Sequence, residues 1–157
     1  MAQHAHQRYI LSSCLSHVTQ MYYGINIKSG GTPFEKQLKK DLNRVKIGSI
    51  SITTSQNDPS LSQVLLPDIE ETSQDGQGRV VIMDDQVSTG ATALMAIRVA
   101  LDHHIKEDRI EYCCLVATDL GLANIQRAFP KVRVITACLV PYQSFHSAFG
   151  SFSERYF

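Results

Sequence analysis

Val80-Val81-Ile82-Met83 is the stretch that leaves this chain the fewest ways to fold. Four apolar residues in a row, three of them β-branched, suit a strand covered on both faces, and such a strand belongs to a mostly parallel sheet between helices. Asp84 and Asp85 end it, and Gln86-Val87 follow as a spacer. Ser88, Thr89, Gly90, Ala91 and Thr92 then stand where a helix begins. Free backbone N–H groups, several hydroxyls and the positive end of a helix dipole converge there, which is how a chain binds phosphate. The two carboxylates are expected at the rim of this cradle, suiting a ligand with a phosphate at one end and hydroxyls or a metal further along. A sugar phosphate fits. The plainer reading makes Ser88 or Thr89 a helix cap and Asp84-Asp85 a solvated strand end.

The hydrophobic strand, acidic pair, spacer and Ser-Thr-Gly-Ala-Thr together resemble the phosphoribosyl-pyrophosphate (PRPP) loop of the type I phosphoribosyltransferases. Ala93 to Val99, Leu101-Asp102-His103, Glu107-Asp108, Ala128 to Arg133 and Arg155-Tyr156-Phe157 extend the likeness to uracil phosphoribosyltransferases. It is nearest to the domains of that kind fused behind uridine-cytidine kinases, and runs from about Tyr22 to the end. The resemblance implies that Asp84 and Asp85 hold the ribose hydroxyls and act in catalysis, while the loop from Gln86 through Val87, Ser88, Thr89, Gly90 and Ala91 to Thr92 wraps the 5′-phosphate.

A chain of 157 residues suits a single domain, here divided into an N-terminal helix over 1–21, an α/β core over 22–140 and a base-loop tail over 141–157. Fifteen basic residues balance fifteen acidic ones, so no general attraction to nucleic acid or an anionic membrane is expected. No run approaches the ~20 apolar residues that span a bilayer, and the start lacks a signal peptide's apolar segment, which predicts a cytoplasmic protein. Cys14, Cys113, Cys114 and Cys138 lack CxxC spacing and are read as small buried apolar residues.

Ile10, Leu11, Cys14, Leu15 and Val18 give an apolar helical face over about 4–20. Tyr22 to Ile27 reads as a strand. Lys28-Ser29-Gly30-Gly31 is a turn, followed by a helix from Thr32-Pro33 to about Leu42. In the family the corresponding turn binds the pyrophosphate of PRPP, so the resemblance gives that role to Lys28, Ser29, Gly30 and Gly31, with Lys28 where an arginine is usual. Val45 to Thr54 alternates as a strand, Asn57 to Ser60 turns, and Leu61 to Leu66 returns, a hairpin that looks like the family's active-site flap. Glu70 to Gly78 is a loop. The helix from about Gly90 to His103 carries Leu94, Ile97 and Leu101 on one face. A strand over Ile110–Thr118, a helix over Leu120–Phe129 capped by Thr118 or Asp119, and a strand over Val132–Val140 complete a largely parallel sheet flanked by helices, the type I phosphoribosyltransferase fold with a β-hairpin flap.

The tail carries Phe145, Phe149, Phe152 and Tyr156, aromatics that need a pocket or a second subunit, and a homodimer or higher oligomer is expected. In the family this segment binds the base. Gly150, Ser151 and Phe152 are its counterparts here, with Gln86 and Ser88 facing the base from the loop. The implied reaction is attack of a uracil nitrogen on the anomeric carbon of PRPP, with Mg²⁺ and Lys28 to Gly31 easing departure of pyrophosphate. Departures at Lys28, Gln86 and the base loop motivate a second reading, a catalytically silent module that binds PRPP or a nucleotide. A kinase is excluded by the absence of GxxxxGK[ST].

Overall fold

The computed structural model describes residues 22–27, 32–41, 45–55, 58–66 and 79–145. The expected N-terminal helix, the turn at 28–31, the loop at 70–78 and the tail beyond 145 lie outside the described residues.

Strand β1 (Tyr22–Ile27) is buried along its whole length, as a central strand with helices on both faces must be. Helix α1 (Thr32–Asp41) follows, then β2 (Lys46–Ser55) and β3 (Asp58–Leu65) as an antiparallel hairpin. β4 (Arg79–Met83) and the two-residue β5 (Gln86–Val87) lead into α2 (Ala91–Asp102). β6 (Ile110–Thr118), α3 (Asp119–Ala128) and β7 (Arg133–Val140) complete the sequence of elements. The sheet runs β3-β2-β1-β4-β6-β7, every pair parallel except β2 with β3, and β5 lies on the same edge of β6 as β4.

Alternation along the strands sorts the core onto two faces. Tyr23, Ile25, Ile27, Val80, Ile82, Tyr112 and Cys114 pack with α2 and with Ile125 of α3. Tyr22, Val81, Met83 and Cys113 pack with Phe34 and Leu38 of α1, four residues apart on one side of that helix. The adjacent Cys113 and Cys114 therefore point to opposite faces, as a regular strand requires.

Two expectations need correction and one is refined. The hairpin turn is shorter than foreseen, because pairing already joins Ser55 to Asp58 and Thr54 to Pro59. Proline is tolerated there since, among the described residues, β3 is the outermost strand and pairs on one side only. On α2 it is Ala93, Ala96, Ile97 and Ala100 that are fully buried, whereas Leu94 and Leu101 are only partly covered, since alanines bring the helix close to the sheet. Cys138 is exposed on β7, which has no strand beyond it among the described residues; Cys14 lies outside them.

At the amino ends of three neighbouring strands, the buried Glu111 takes Arg79 and Arg133 on one oxygen, at 3.1 and 2.8 Å. This ties β4, β6 and β7 together at the end remote from the acidic pair. The seat of α1 rests on Phe34, fully buried. Phe34→Ala is expected to lower stability by about 3–5 kcal/mol in urea denaturation, while Lys36→Ala on the exposed side of the same helix changes it by less than about 0.5 kcal/mol.

Candidate functional site

The strand order reverses between β1 and β4: from β1 the chain builds outward through β2 and β3, then crosses to β4 and continues through β6 to β7. The crevice at the carboxyl ends of such a pair is where open α/β sheets receive ligands. β1 ends there at Ile27, and β4 ends there at Met83, just before the acidic pair.

Register across the acidic pair is unbroken. Met83 lies opposite Cys113 and Gln86 opposite Val116, so Asp84 and Asp85 stand opposite Cys114 and Leu115 with no residue inserted. The backbone is distorted all the same. The Asp84 N–H donates to the Cys113 carbonyl at 3.0 Å, and the Asp85 carbonyl accepts from both Leu115 (3.0 Å) and Val116 (3.2 Å). Pairing therefore resumes at Gln86–Val87, and the polar turn begins later than the sequence suggested.

The two carboxylates do not share a setting. Asp84 is buried, 3% exposed, with its Oδ2 accepting the Tyr112 hydroxyl at 2.7 Å and its Oδ1 accepting the Asp85 N–H at 2.9 Å. Asp85 is partly exposed. The expectation that both carboxylates line the rim is thus corrected for Asp84, which continues the strand's alternation toward the α2 face beside Ile82 and Tyr112. Burial pushes the Asp84 carboxyl up to about 7, reinforced by the charge of Asp85 and opposed by the Tyr112 hydrogen bond. Burial, together with the facing Asp84, holds the Tyr112 phenol well above its ordinary range. Burial also pushes the neighbouring Cys114 thiol up to about 12, against a hydrogen bond to Thr136, so it stays protonated.

Gly90, not Ser88 or Thr89, caps α2, at φ 85° and with no side-chain cap. The Ala91 N–H reaches Thr89 Oγ1 at 3.4 Å, and the Leu94 N–H makes the first helical bond, to the Gly90 carbonyl. The N–H groups of Gly90, Thr92 and Ala93 have no partner among the described residues. Unclaimed amides at the positive end of a twelve-residue helix form an anion cradle. Ser88, Thr89, Ala91 and Thr92 are partly exposed beside it, Gln86 is exposed, and Val87 is buried as the loop's apolar anchor.

Helix α3 props this loop from behind. The Thr118 hydroxyl donates to the Ser88 carbonyl and accepts the Gly121 N–H at 2.9 Å, capping α3 in the same stroke. Asn124 donates to the Thr89 carbonyl at 2.9 Å. Contact is close enough to exclude side chains: a Cβ on Gly121 would come within 2.5 Å of the Ser88 carbonyl oxygen, and one on Gly90 within 2.9 Å of the Gly121 carbonyl oxygen. Beside α3, an open depression of about 590 Å³ is lined by Asp119, Leu120, Pro141, Tyr142 and Gln143. Asp119 staples its walls, accepting the Leu120 N–H at 2.7 Å and the Tyr142 N–H at 2.8 Å.

A sequence profile of the family described as uracil phosphoribosyltransferase matches residues 12–157, nearly the whole chain. The chain belongs to the uracil phosphoribosyltransferase family. Uridine-cytidine kinase-like 1 of Mus musculus is 36% identical over 146 residues, a match covering 85% of this chain and 25% of that protein. Uracil phosphoribosyltransferase of Saccharomyces cerevisiae is 29% identical over 147 residues, covering 85% of this chain and 62% of the enzyme. This chain thus spans a quarter of the one relative and about three-fifths of the other. Among solved structures, the purine phosphoribosyltransferase of Pyrococcus horikoshii superposes with a TM-score of 0.61 at 17% identity, covering 90% of this chain and 89% of that one. The fold is that of the type I phosphoribosyltransferases.

Of the residues expected in this family's site, Asp84 to Thr92 come together at one end of the sheet. Lys28, Ser29, Gly30, Gly31, Gly150, Ser151 and Phe152 lie outside the described residues. Tyr112, Gly121 and Asn124 were missed. Tyr112 had a signal, a lone hydroxyl within the buried run Ile110–Leu115, and Gly121 another, a glycine in the first turn of a helix.

Two outcomes follow. The folded state holds a proton on Asp84 up to about pH 7, while the unfolded state releases it near the ordinary value of 3.8. Stability from this group is therefore fully present below the lower value and is lost as pH rises through the upper one. Thermal melts should show the wild type losing about 5–10 °C relative to Asp84→Asn between pH 5 and pH 7, from a slope of about 1.4 kcal/mol per pH unit. Gly121→Ala should lower stability by about 1–3 kcal/mol and weaken phosphate binding, whereas Ala123→Ser, on the exposed side of α3, should change neither.

Proposed function

We propose that the chain transfers the phosphoribosyl group of PRPP to uracil, giving UMP and pyrophosphate, as a cytoplasmic enzyme of pyrimidine salvage. The observation that carries this reading is the pairing of backbone amides at the start of α2, those of Gly90, Thr92 and Ala93 unclaimed among the described residues, with the acidic pair at a strand-order reversal. In this reading the 5′-phosphate lies on the cradle and among the hydroxyls of Ser88, Thr89 and Thr92, with the pentose hydroxyls directed toward the acidic pair. Attack by a uracil ring nitrogen at the anomeric carbon breaks the bond to pyrophosphate, and the nitrogen gives up its proton to solvent. Positive charge grows on the ribosyl carbon, and a carboxylate held nearby stabilises it more than it does the ground state. Lys28 to Gly31 receive the leaving pyrophosphate. The tail with Gly150, Ser151 and Phe152, together with Gln86 and Ser88, encloses the base, and the depression beside Asp119 and Tyr142, where the tail begins, supports that placement. The β2–β3 hairpin serves as the flap.

Among the described residues no three His, Cys, Asp or Glu side chains gather to hold a metal ion. Mg²⁺ is usually received by one or two carboxylates together with substrate phosphates, so in this proposal it would be bound together with PRPP and would supply neutralising charge for the pyrophosphate. The functional unit is a homo-oligomer that binds no nucleic acid and no membrane; among the described residues no helix is long and apolar enough to cross one.

One observation favours a second reading, that of a PRPP- or nucleotide-binding module without turnover: the buried Asp84 carboxylate accepts hydrogen bonds from within the protein on both oxygens. Labelled uracil with PRPP and Mg²⁺ decides between them. Formation of UMP, falling about 100-fold in kcat/KM in Asp85→Asn, supports transfer. Calorimetric binding of PRPP with no UMP supports the binding module, and no binding at all refutes both.

A further inference from the structure

Helix α3 takes hold of the 88–92 loop by two successive carbonyl oxygens. The Thr118 hydroxyl donates to the Ser88 carbonyl, and the Asn124 carboxamide donates to the Thr89 carbonyl at 2.9 Å. The approach is this close because Gly121 has no side chain to meet the Ser88 oxygen. Chemistry fixes which way round the Asn124 carboxamide sits. Arg127 Nη2 lies 2.9 Å from its Oδ1, and a guanidinium only donates, so the carboxamide nitrogen is the atom that faces Thr89.

A trans peptide is planar, and its carbonyl and N–H point in opposite directions. Among the described residues no peptide is cis. Drawing the Ser88 carbonyl toward α3 therefore turns the Thr89 N–H away from α3, and drawing the Thr89 carbonyl does the same to the Gly90 N–H. Neither amide has a partner among the described residues. The left-handed turn at Gly90 then leads into α2, where the amides of Thr92 and Ala93 are likewise unclaimed among those residues.

We propose that Thr118 and Asn124 are positioning residues for the phosphate end of the site: by pinning two successive carbonyls they aim the Thr89 and Gly90 amides, which extend the cradle that Thr92 and Ala93 form at the start of α2. This rests on reading Asp84 to Thr92 as a phosphorylated-pentose site. Donors fixed before the ligand arrives cost little ordering when it binds. Without the two grips, a Thr-Gly pair outside any regular element is free to turn its peptide planes, since glycine accepts many backbone angles. The two side chains differ in what else they do. Thr118, fully buried, also caps α3 through the Gly121 N–H, whereas Asn124 sits within the helix and is the cleaner probe.

Isotope-labelled full chain is titrated to saturation with inorganic phosphate and with ribose 5-phosphate, each backbone amide being followed by NMR. The wild type is compared with Asn124→Ala, Thr118→Val and Thr118→Ser, each below its melting temperature. In the wild type the Thr89 and Gly90 amides should shift along with those of Thr92 and Ala93. Asn124→Ala gains helix propensity and keeps the Thr118 cap. It should bind both ligands about 5- to 10-fold more weakly, the worth of one hydrogen bond, with the Gly90 shift reduced more than the Thr92 and Ala93 shifts. Thr118→Val should lose about as much, chiefly at the Thr89 amide, and Thr118→Ser, which keeps the hydroxyl, should restore binding. Shifts reduced alike at all four amides would mean a merely structural role and overturn the proposal, as would wild-type affinity in Asn124→Ala. Thr89 and Gly90 amides that stay still in the wild type while Thr92 and Ala93 move overturn it too, an outcome readable even if no variant folds and one that leaves the phosphate site standing. No shift at any of the four with either ligand refutes the site reading itself, and this inference with it.

Discussion

Strand β6 accepts one continuous partner line along a single edge, from Val80 opposite Ile110 to Val87 opposite Ala117, although two charged residues interrupt its middle. The Asp85 carbonyl spans the gap by taking two amides from β6. A bulge would have added a residue and turned every later side chain to the other face. Constant register instead keeps Val87 pointing into the core, and Val87 fixes where the loop leaves the sheet. The cradle at the start of α2 is aimed by a hydrogen-bond pattern several residues upstream of it.

Burying a carboxylate is unfavourable unless its oxygens are satisfied, and β6 answers that demand with different chemistry at its two ends, only in part for Glu111, whose Oε2 has no partner among the described residues. Near its start, Glu111 is flanked by two guanidinium groups and ties three strands. Near the carboxyl end, Asp84 has a phenol and a peptide N–H but no cation among the described residues. Two cations suit a charge that only has to stay put.

Much of this was legible in the sequence. The apolar run Val80–Met83, the glycine after Ser88-Thr89, and the Thr118 and Pro130 boundaries gave strand, loop and helix close to their observed limits, because each rests on local chemistry. What escaped had tertiary causes. Nothing local says that Asp84 turns inward, since the partner that turns it is Tyr112, twenty-eight residues on. Leu94 and Leu101 look like the buried face of α2 by size, yet alanines let the helix settle on Ala96 and Ala100. Pro59 looked like a turn because its tolerance in a strand depends on β3 being outermost, a property of the whole sheet.

The contact between Gly90 and Gly121 has a consequence for descent as well as for shape. A side chain at Gly90 would meet the Gly121 backbone, and one at Gly121 would meet the Ser88 carbonyl and Val87, so neither position can drift while the loop and the helix start stay where they are. A lineage that acquired a methyl group at one would have to move the helix start behind it before the loop could close again, and the intermediate forms would be the less fit ones. The loop and the first turn of α3 are therefore inherited as a unit, although Gly90 and Gly121 stand thirty-one residues apart in the chain.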